Sequence, residues 1–187
     1  MSHSPANLAL DEFLQYLRQR GRDRQTIANY RHYLKRFFEA GGLTSTAQVD
    51  ATAVARFQAW LTQRRLQPTT ANYHRSALRM FLRYGQNHGW CTMEPTTVTM
   101  QPVALRRPAT LQEFGINRLL HFPLKLEGLA VLQHRDRAIL ELISSSGLRV
   151  SEIATLRREQ FLPNRHELAV HGRQGKLRLV PITQQAR

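Results

Sequence analysis

Three side chains towards the C-terminal end have types and spacing suited to anion chemistry. Arg149 follows the run Ser144-Ser145-Ser146-Gly147-Leu148, Glu152 stands three residues later, and Lys176 leaves the tetrapeptide Gly172-Arg173-Gln174-Gly175. A fixed guanidinium stabilises charge that develops on oxygen in a transition state. An ammonium group can protonate a leaving oxygen or steady it as an alkoxide. A chain break followed by a helix start would add the positive end of a peptide dipole beside Arg149. Glu152 then falls on the same side of that helix, within reach of the arginine. On spacing alone, an exposed helix arginine paired with a surface carboxylate is an equally good account of Arg149 and Glu152. Lys176 taken alone reads as a surface lysine.

Other chemistries have little support. Cys91 is the only cysteine, so no disulfide can form within the chain, which fits a reducing compartment. It sits beside Trp90 with no histidine placed near it by motif and reads as a small buried residue. The eight histidines show no metal-ligand spacing with cysteine or acids. No phosphate-binding glycine loop or dinucleotide fingerprint occurs. No metal and no small-molecule cofactor is therefore expected. The N-terminal stretch MSHSPANLALDEFL meets Asp11 and Glu12 where a signal peptide would carry an apolar core. No apolar run approaches the roughly 18 residues of a membrane span. The expected location is cytoplasmic, with no membrane partner.

The charge balance points to a polyanion. The chain carries 27 basic and 13 acidic residues, a net charge of +14, and only Lys35, Lys125 and Lys176 among the basic residues are lysines. Arginine suits bidentate contacts to phosphate and guanine. Residues 1–107 hold 15 basic and 6 acidic groups, and residues 108–187 hold 12 and 7. Both halves could thus face a phosphate backbone.

The elements that must position these groups follow from periodicity. Four helices are expected in the first hundred residues: from about Asn7 to Arg20, from Thr26 to Ala40, from Asp50 or Thr52 through Leu61, and from after Gln67-Pro68-Thr69-Thr70 to His88-Gly89. Tyr73 is expected on the apolar stripe of the fourth. At an offset of 44 residues, Thr26 matches Thr70, Arg31 matches Arg75, Leu34 matches Leu78, Lys35 matches Arg79 and Phe37 matches Phe81. Helices two and four should therefore show the same face twice. Arg31 and Lys35 on one, and Arg75, Arg79 and Arg83 on the other, form acid-free rows at one-turn spacing that could follow a phosphate backbone. A solvated helix face is the plainer alternative.

Residues 92–108, with three prolines and four threonines, read as an extended linker between a domain at 1–91 and another at 109–187. Arg106 and Arg107 at its end are candidate phosphate contacts. Thr110 to Glu113 reads as a capping box opening a helix through Leu120. A helix from near His134 should bury Ile139, Leu140, Leu142 and Ile143 and break at Ser144–Gly147. A short helix follows with Val150, Ile153 and Leu156 inside. Three short strands come next, at Phe161-Leu162, Leu168 to Val170 and Leu177 to Ile182. The last two form a hairpin, with His171 as a strand residue.

Ser146-Gly147-Leu148-Arg149-Val150-Ser151-Glu152-Ile153 resembles the first catalytic-arginine motif of tyrosine site-specific recombinases, the phage-integrase family. His171 through Ile182 resembles that family's hairpin, with its catalytic lysine and its basic-x-Val-Pro ending. The two motifs occur in the family's order, 27 residues apart. Thr26 to Phe38 and Arg75 to Tyr84 resemble its helical core-binding domain. The likeness covers nearly the whole chain and is nearest to the chromosome-dimer-resolution and integron-like branch. It implies a mainly α fold with a small β element: a SAM-like core-binding bundle, then the first half of an α+β catalytic domain with a three-stranded antiparallel sheet.

The resemblance also implies roles. Arg149, Lys176 and Glu152 would be catalytic, and Arg178 would join Arg31, Lys35, Arg75, Arg79, Arg83, Arg106 and Arg107 in contacting DNA. The reaction would be metal-free transesterification on double-stranded DNA, with self-association on DNA in a complete protein. In this chain Gly175 directly precedes Lys176, whereas the family's glycine stands two residues before the lysine. The family's nucleophile is a tyrosine after a His-x-x-Arg motif. Here every tyrosine precedes Arg149, and His134 to Arg137 spells the motif in the wrong order. The expectation is a fragment that binds DNA without cutting it and exposes apolar surface in its second half. A basic regulator or nucleoid-type binder that reuses the bundle is the alternative.

Overall fold

The structure is a computed structural model that describes residues 5–105, 108–125, 127–161, 165–172 and 175–186. Arg106 and Arg107 lie outside the described residues. The chain divides into two compact units, Met1–Arg106 and Arg107–Arg187.

Unit 1 contains four helices: α1 (Pro5–Gln19), α2 (Arg24–Gly41), α3 (Ala51–Gln63) and α4 (Pro68–Asn87). Local chemistry sets their ends. Asp23 caps α2 by accepting from the Thr26 N–H at 2.7 Å, and Asp50 caps α3 by accepting from the Ala53 N–H at 2.7 Å. Pro68 opens α4, where its missing N–H costs nothing. Gly42, at φ 63°, closes α2 in the left-handed conformation that only glycine adopts freely. Phe13, Phe37, Phe57 and Phe81 are fully buried, with Phe81 edge-on to Phe13 and to Phe38 at 5.4 and 5.7 Å. Burying each such ring contributes about 2–3 kcal/mol, enough in sum to fix the bundle.

The repeat in α2 and α4 holds for its apolar members, since Leu34, Leu78, Phe37 and Phe81 are all fully buried. It fails for its cations, as described below. The segment expected as an extended linker is in large part docked on the bundle. Pro95–Thr97 forms a 3-10 turn, and Val98 is fully buried. Gln58 accepts from the Thr99 N–H, and Asn72 exchanges two hydrogen bonds with the Gln101 backbone at 2.8 and 2.9 Å. These contacts join residues far apart in sequence, which local composition does not encode.

Unit 2 contains α5 (Glu113–His121), α6 (Ala130–Ser146), the single-turn α7 (Val150–Ile153) and the strands β1 (Glu167–His171) and β2 (Leu177–Pro181). The cap of α5 is Gln112, with no side-chain hydrogen bond, so the expected capping box at Thr110 does not form. Helix α6 runs on through Ser146, and only Gly147, at φ 63°, ends it.

Strands β1 and β2 pair antiparallel with Leu168 opposite Val180 and Val170 opposite Arg178. Among the described residues the sheet has these two strands, not three. Phe161 lies at a bend closing the 3-10 turn Arg158–Gln160, and Leu162 lies outside the described residues. Gln160 spends its side-chain amide on the Ala169 carbonyl at 2.8 Å, which anchors that turn against β1 without strand pairing. The expected buried stripe of α6 is also thinner than its pattern. Leu142 is buried, Ile139 and Leu140 are half-buried, and Ile143 is exposed. Val150, expected inside, is 76% exposed because it occupies the first, outward position of α7. Phe114, Leu129 and Val131 are exposed as well, so unit 2 does present the apolar surface expected of it.

Candidate functional site

In unit 2 the Gly147 turn delivers Arg149 to the cap position of α7, with extended backbone at φ −76° and ψ 150°. Glu152 reaches back across the turn. Its Oε2 accepts from the Arg149 backbone N–H at 2.9 Å, and its Oε1 accepts from the Arg149 guanidinium at 3.1 Å. The hairpin supplies a second guanidinium. Arg178 on β2 donates through both terminal nitrogens to Glu152, at 2.7 and 2.8 Å. This two-pronged geometry is the strong form of the arginine–carboxylate bond. Gly172 makes room for it, since a Cβ there would stand 2.8 Å from an Arg178 Nη.

The carboxylate of Glu152 is buried and its pKa falls to about 2. The Arg178 hydrogen bonds are the largest cause, followed by the Arg149 backbone N–H. The Arg149 side chain stays 67% exposed. Two guanidinium groups against one carboxylate leave a net positive patch. Gly147, Arg149, Gly172, Lys176 and Arg178 line one open depression there, so the structure brings Arg149, Glu152, Lys176 and Arg178 together. Lys176 is exposed just before β2, and its carbonyl accepts from the Gly172 N–H at 2.7 Å. His171 ends β1 as a strand residue. The dipole expected beside Arg149 is minor, because α7 is one turn long and its cap is already taken by Glu152.

Unit 1 carries the other candidates, and here the expected rows need correction. Arg75 is 3% exposed, with its Nε unpartnered and one Nη 3.5 Å from Asn72, so it does not belong to an outward row. Helix α4 buries nine of its 20 residues, Arg75 among them, whereas α2 buries five of 18 and leaves the matching Arg31 half-buried, so a position that is outward on α2 is inward on α4. Arg79 is half-buried and donates from Nε to the Val98 carbonyl at 2.8 Å, whereas Arg83 is exposed. On α2, Lys35 is exposed, and Arg31 pairs with Asp11 of α1 at 3.1 Å, an acid that a single-helix reading does not see. Tyr73, expected on the apolar stripe, is 56% exposed.

The larger cationic feature is one the row argument missed. Arg18, Arg20, Arg22 and Arg24 alternate along the α1–α2 corner. Arg20, Arg22, Arg79 and Arg83 line one hollow, and Arg18, Arg22, Arg24, Arg31 and Lys35 line the next, with Arg22 shared. The signal was present as arginine at every second position, but it crosses a helix end and so has no helical period.

Two family patterns match the chain in order: "Phage integrase, N-terminal SAM-like domain" over residues 10–88 and "Phage integrase family" over residues 109–187. The chain belongs to the phage integrase family. Among this integrase-family chain's relatives, the tyrosine recombinase XerD of Vibrio cholerae serotype O1 is 29% identical over 187 residues, covering 98% of this chain and 61% of that protein. The tyrosine recombinase XerC of Neisseria gonorrhoeae is 32% identical over 184 residues, covering 92% and 59%. The chain therefore spans about three-fifths of the length of these relatives.

The fold is that of solved integrases. A lambda integrase (residues 75–356) bound to DNA superposes with a TM-score of 0.71 at 18% identity, over 95% of this chain and 59% of that one. The XerH recombinase bound to its difH substrate in a pre-cleavage complex gives 0.67 at 19% identity, over 96% and 65%. Among the described residues no helix is long and apolar enough to cross a membrane, and no cluster of three or more His, Cys, Asp or Glu could hold a metal ion.

Proposed function

We propose that the chain binds double-stranded DNA as part of a tyrosine site-specific recombinase, an enzyme that breaks and rejoins DNA by metal-free transesterification in the cytoplasm and self-associates on DNA. In this reading Arg149 stabilises charge on the non-bridging oxygens of the scissile phosphate. Lys176 is the candidate proton donor to the leaving oxygen. Glu152 is a positioning residue. Arg178 helps to position it, because both its terminal nitrogens are spent on that carboxylate. Arg18, Arg20, Arg22, Arg24, Lys35 and Arg83 hold the backbone from unit 1, with Arg31 and Arg79 in support. Arg106 and Arg107 are further candidates for the same backbone. In this reading the residues of this chain supply DNA binding, charge stabilisation and a proton donor.

The observation that carries this reading is the exposed Arg149 guanidinium, held by a buried carboxylate that a second arginine holds in turn. Binding by the 187-residue chain is measured on a palindromic duplex and on random duplex DNA at rising salt. Affinity should fall with a slope of about −0.9 per phosphate neutralised, and the palindrome should be preferred. Arg22→Glu together with Arg83→Glu should weaken binding at least about tenfold with helicity unchanged. Binding that ignores both salt and the double reversal rules the reading out.

A further inference from the structure

The chain leaves the bundle through a strap that α3 and α4 hold with side chains. Residues 98–101 belong to no helix or strand. Val98 anchors them and is fully buried. Gln58 Oε1 accepts from the Thr99 N–H at 3.1 Å and from the Thr99 hydroxyl at 2.8 Å. Asn72 donates to the Gln101 carbonyl at 2.8 Å and accepts from the Gln101 N–H at 2.9 Å. Side chains thus satisfy backbone groups that a neighbouring strand would ordinarily pair. Beyond Gln101 the hold ends, and Pro102, Val103, Ala104 and Leu105 are exposed.

The third group on the strap is Arg79. Its Nε–H donates to the Val98 carbonyl at 2.8 Å. A guanidinium is planar and carries five N–H donors in a fixed fork. One of them is spent on the strap, and the two terminal nitrogens make no hydrogen bond among the described residues. The edge between those nitrogens is the one that can take two oxygens of a phosphate. Arg79 also lines the hollow that Arg20, Arg22 and Arg83 share, whose lining contains no acid. The same side chain therefore belongs to two places, the strap and the cationic hollow. The strap fixes the plane of Arg79 without using the edge a phosphate needs. With the strap undocked, that side chain would have to be ordered as the phosphate arrived, at a cost in rotamer freedom.

We propose that Arg79 couples two events, docking of the strap on α3 and α4 and capture of a phosphate in the neighbouring hollow, so that each strengthens the other. This rests on the proposal that the chain binds duplex DNA, which supplies the phosphate. The docked strap holds Arg79 in the orientation that a phosphate takes. A bound phosphate keeps Arg79 in place and so keeps the Val98 carbonyl capped. Coupling of this kind is reciprocal: the factor by which docking raises DNA affinity is the factor by which DNA favours docking. Gln58 and Asn72 act as positioning residues, through the strap. The segment that leads on to unit 2 is therefore held more firmly when unit 1 sits on DNA than when it is free.

The test is amide hydrogen exchange at Thr99 and Gln101 in the whole 187-residue chain, with and without a random-sequence duplex at low salt. In the free chain both amides should exchange more slowly than those of Val103 and Ala104. Duplex should slow both at least about fivefold further. Gln58→Ala combined with Asn72→Ala should lose the protection and weaken duplex binding by about that same factor, with the salt slope retained. Arg79→Lys keeps the charge but not the planar fork. In it, Gln58 and Asn72 should still protect Thr99 and Gln101 in the free chain, but duplex should add nothing. That variant separates coupling from shielding, because DNA lying over the strap would slow exchange with lysine as well. Circular dichroism checks that each variant folds. Exchange unchanged by bound duplex, wild-type affinity in the double variant, or slowing that persists in Arg79→Lys would each overturn the coupling and leave DNA binding standing. If the wild-type chain binds no duplex at any salt, DNA binding falls and this inference with it.

Discussion

Acidification should destabilise unit 1 through one residue, His74. Its ring is 6% exposed on α4, with Nδ1 lacking a partner. It packs 4.5 Å from the Tyr33 ring, 6.2 Å from Phe57 and 6.5 Å from Trp60. The charged and titratable groups near it are His32, Tyr33, Arg36 and Arg75. Burial, then His32 and those two arginines, lower its pKa from 6.5 to about 4. The unfolded chain takes up the proton near pH 6.5 and the folded chain only near pH 4. The unfolded state thus binds more protons in that window, and stability falls as pH falls through it. At 1.36 kcal/mol per pKa unit, the loss between pH 7.5 and pH 5 is about 2 kcal/mol, and solvent at the ring edge reduces it towards about 1 kcal/mol. Urea unfolding at the two pH values measures it directly. His74→Leu should be less sensitive to pH by that amount, because it has nothing to protonate. Equal pH dependence in His74→Leu and the parent chain would show that the buried imidazole is not the sensor.

Two further predictions concern the arginines. Arg75→Met should change stability by less than about 1 kcal/mol, since methionine keeps the buried stem and removes an unpartnered Nε. It should leave DNA affinity within about twofold, and a tenfold loss would return Arg75 to the interface. Glu152 has a folded pKa of about 2 against an ordinary 4.5, so its stabilising effect is complete above pH 4.5 and is lost as pH falls towards 2. Glu152→Gln should remove that part of the acid dependence of unit 2 and speed solvent exchange at the Arg178 guanidinium. Unchanged exchange would refute the pairing.

What could be read from the chain was what repeats locally. The start of α3 at Asp50, the apolar faces of α2 and α4 apart from Tyr73, and the Arg149–Glu152 spacing are all settled within a turn or two of helix, and they appear where the pattern placed them. Arg75 was misjudged because a repeat of 44 residues equates sequence positions, whereas burial depends on which faces of each helix the neighbours cover: α4 buries nine residues, Arg75 among them, and α2 buries five, without Arg31. Arg31 was expected free because its acid, Asp11, lies on another helix. The docking of Thr99 and Gln101 onto Gln58 and Asn72 joins residues 41 and 29 positions apart, beyond any local signal. The third strand was inferred from two apolar residues, too few to outweigh the turn that Gln160 pins to β1.

Arg178 shows most clearly what only three dimensions reveal. In sequence it is one more basic residue in a basic hairpin, and a phosphate contact is the natural guess. In space its neighbour is a buried carboxylate 26 residues away, and that carboxylate already holds the Arg149 backbone and guanidinium. A lone Arg149–Glu152 pair would be neutral and, on a single-turn helix, loosely held. A second guanidinium makes the group net positive, keeps Glu152 ionised far into acid, and ties α7 to β2 so that Arg149 has little freedom to lose. In the role proposed for Arg149 its charge would meet developing negative charge, and such a charge works best when its orientation is settled before the reaction begins. Lysine at position 178 would keep the charge but lose the second prong and with it the orientation. The hairpin thus acts as a brace for the arginine as well as a carrier for Lys176.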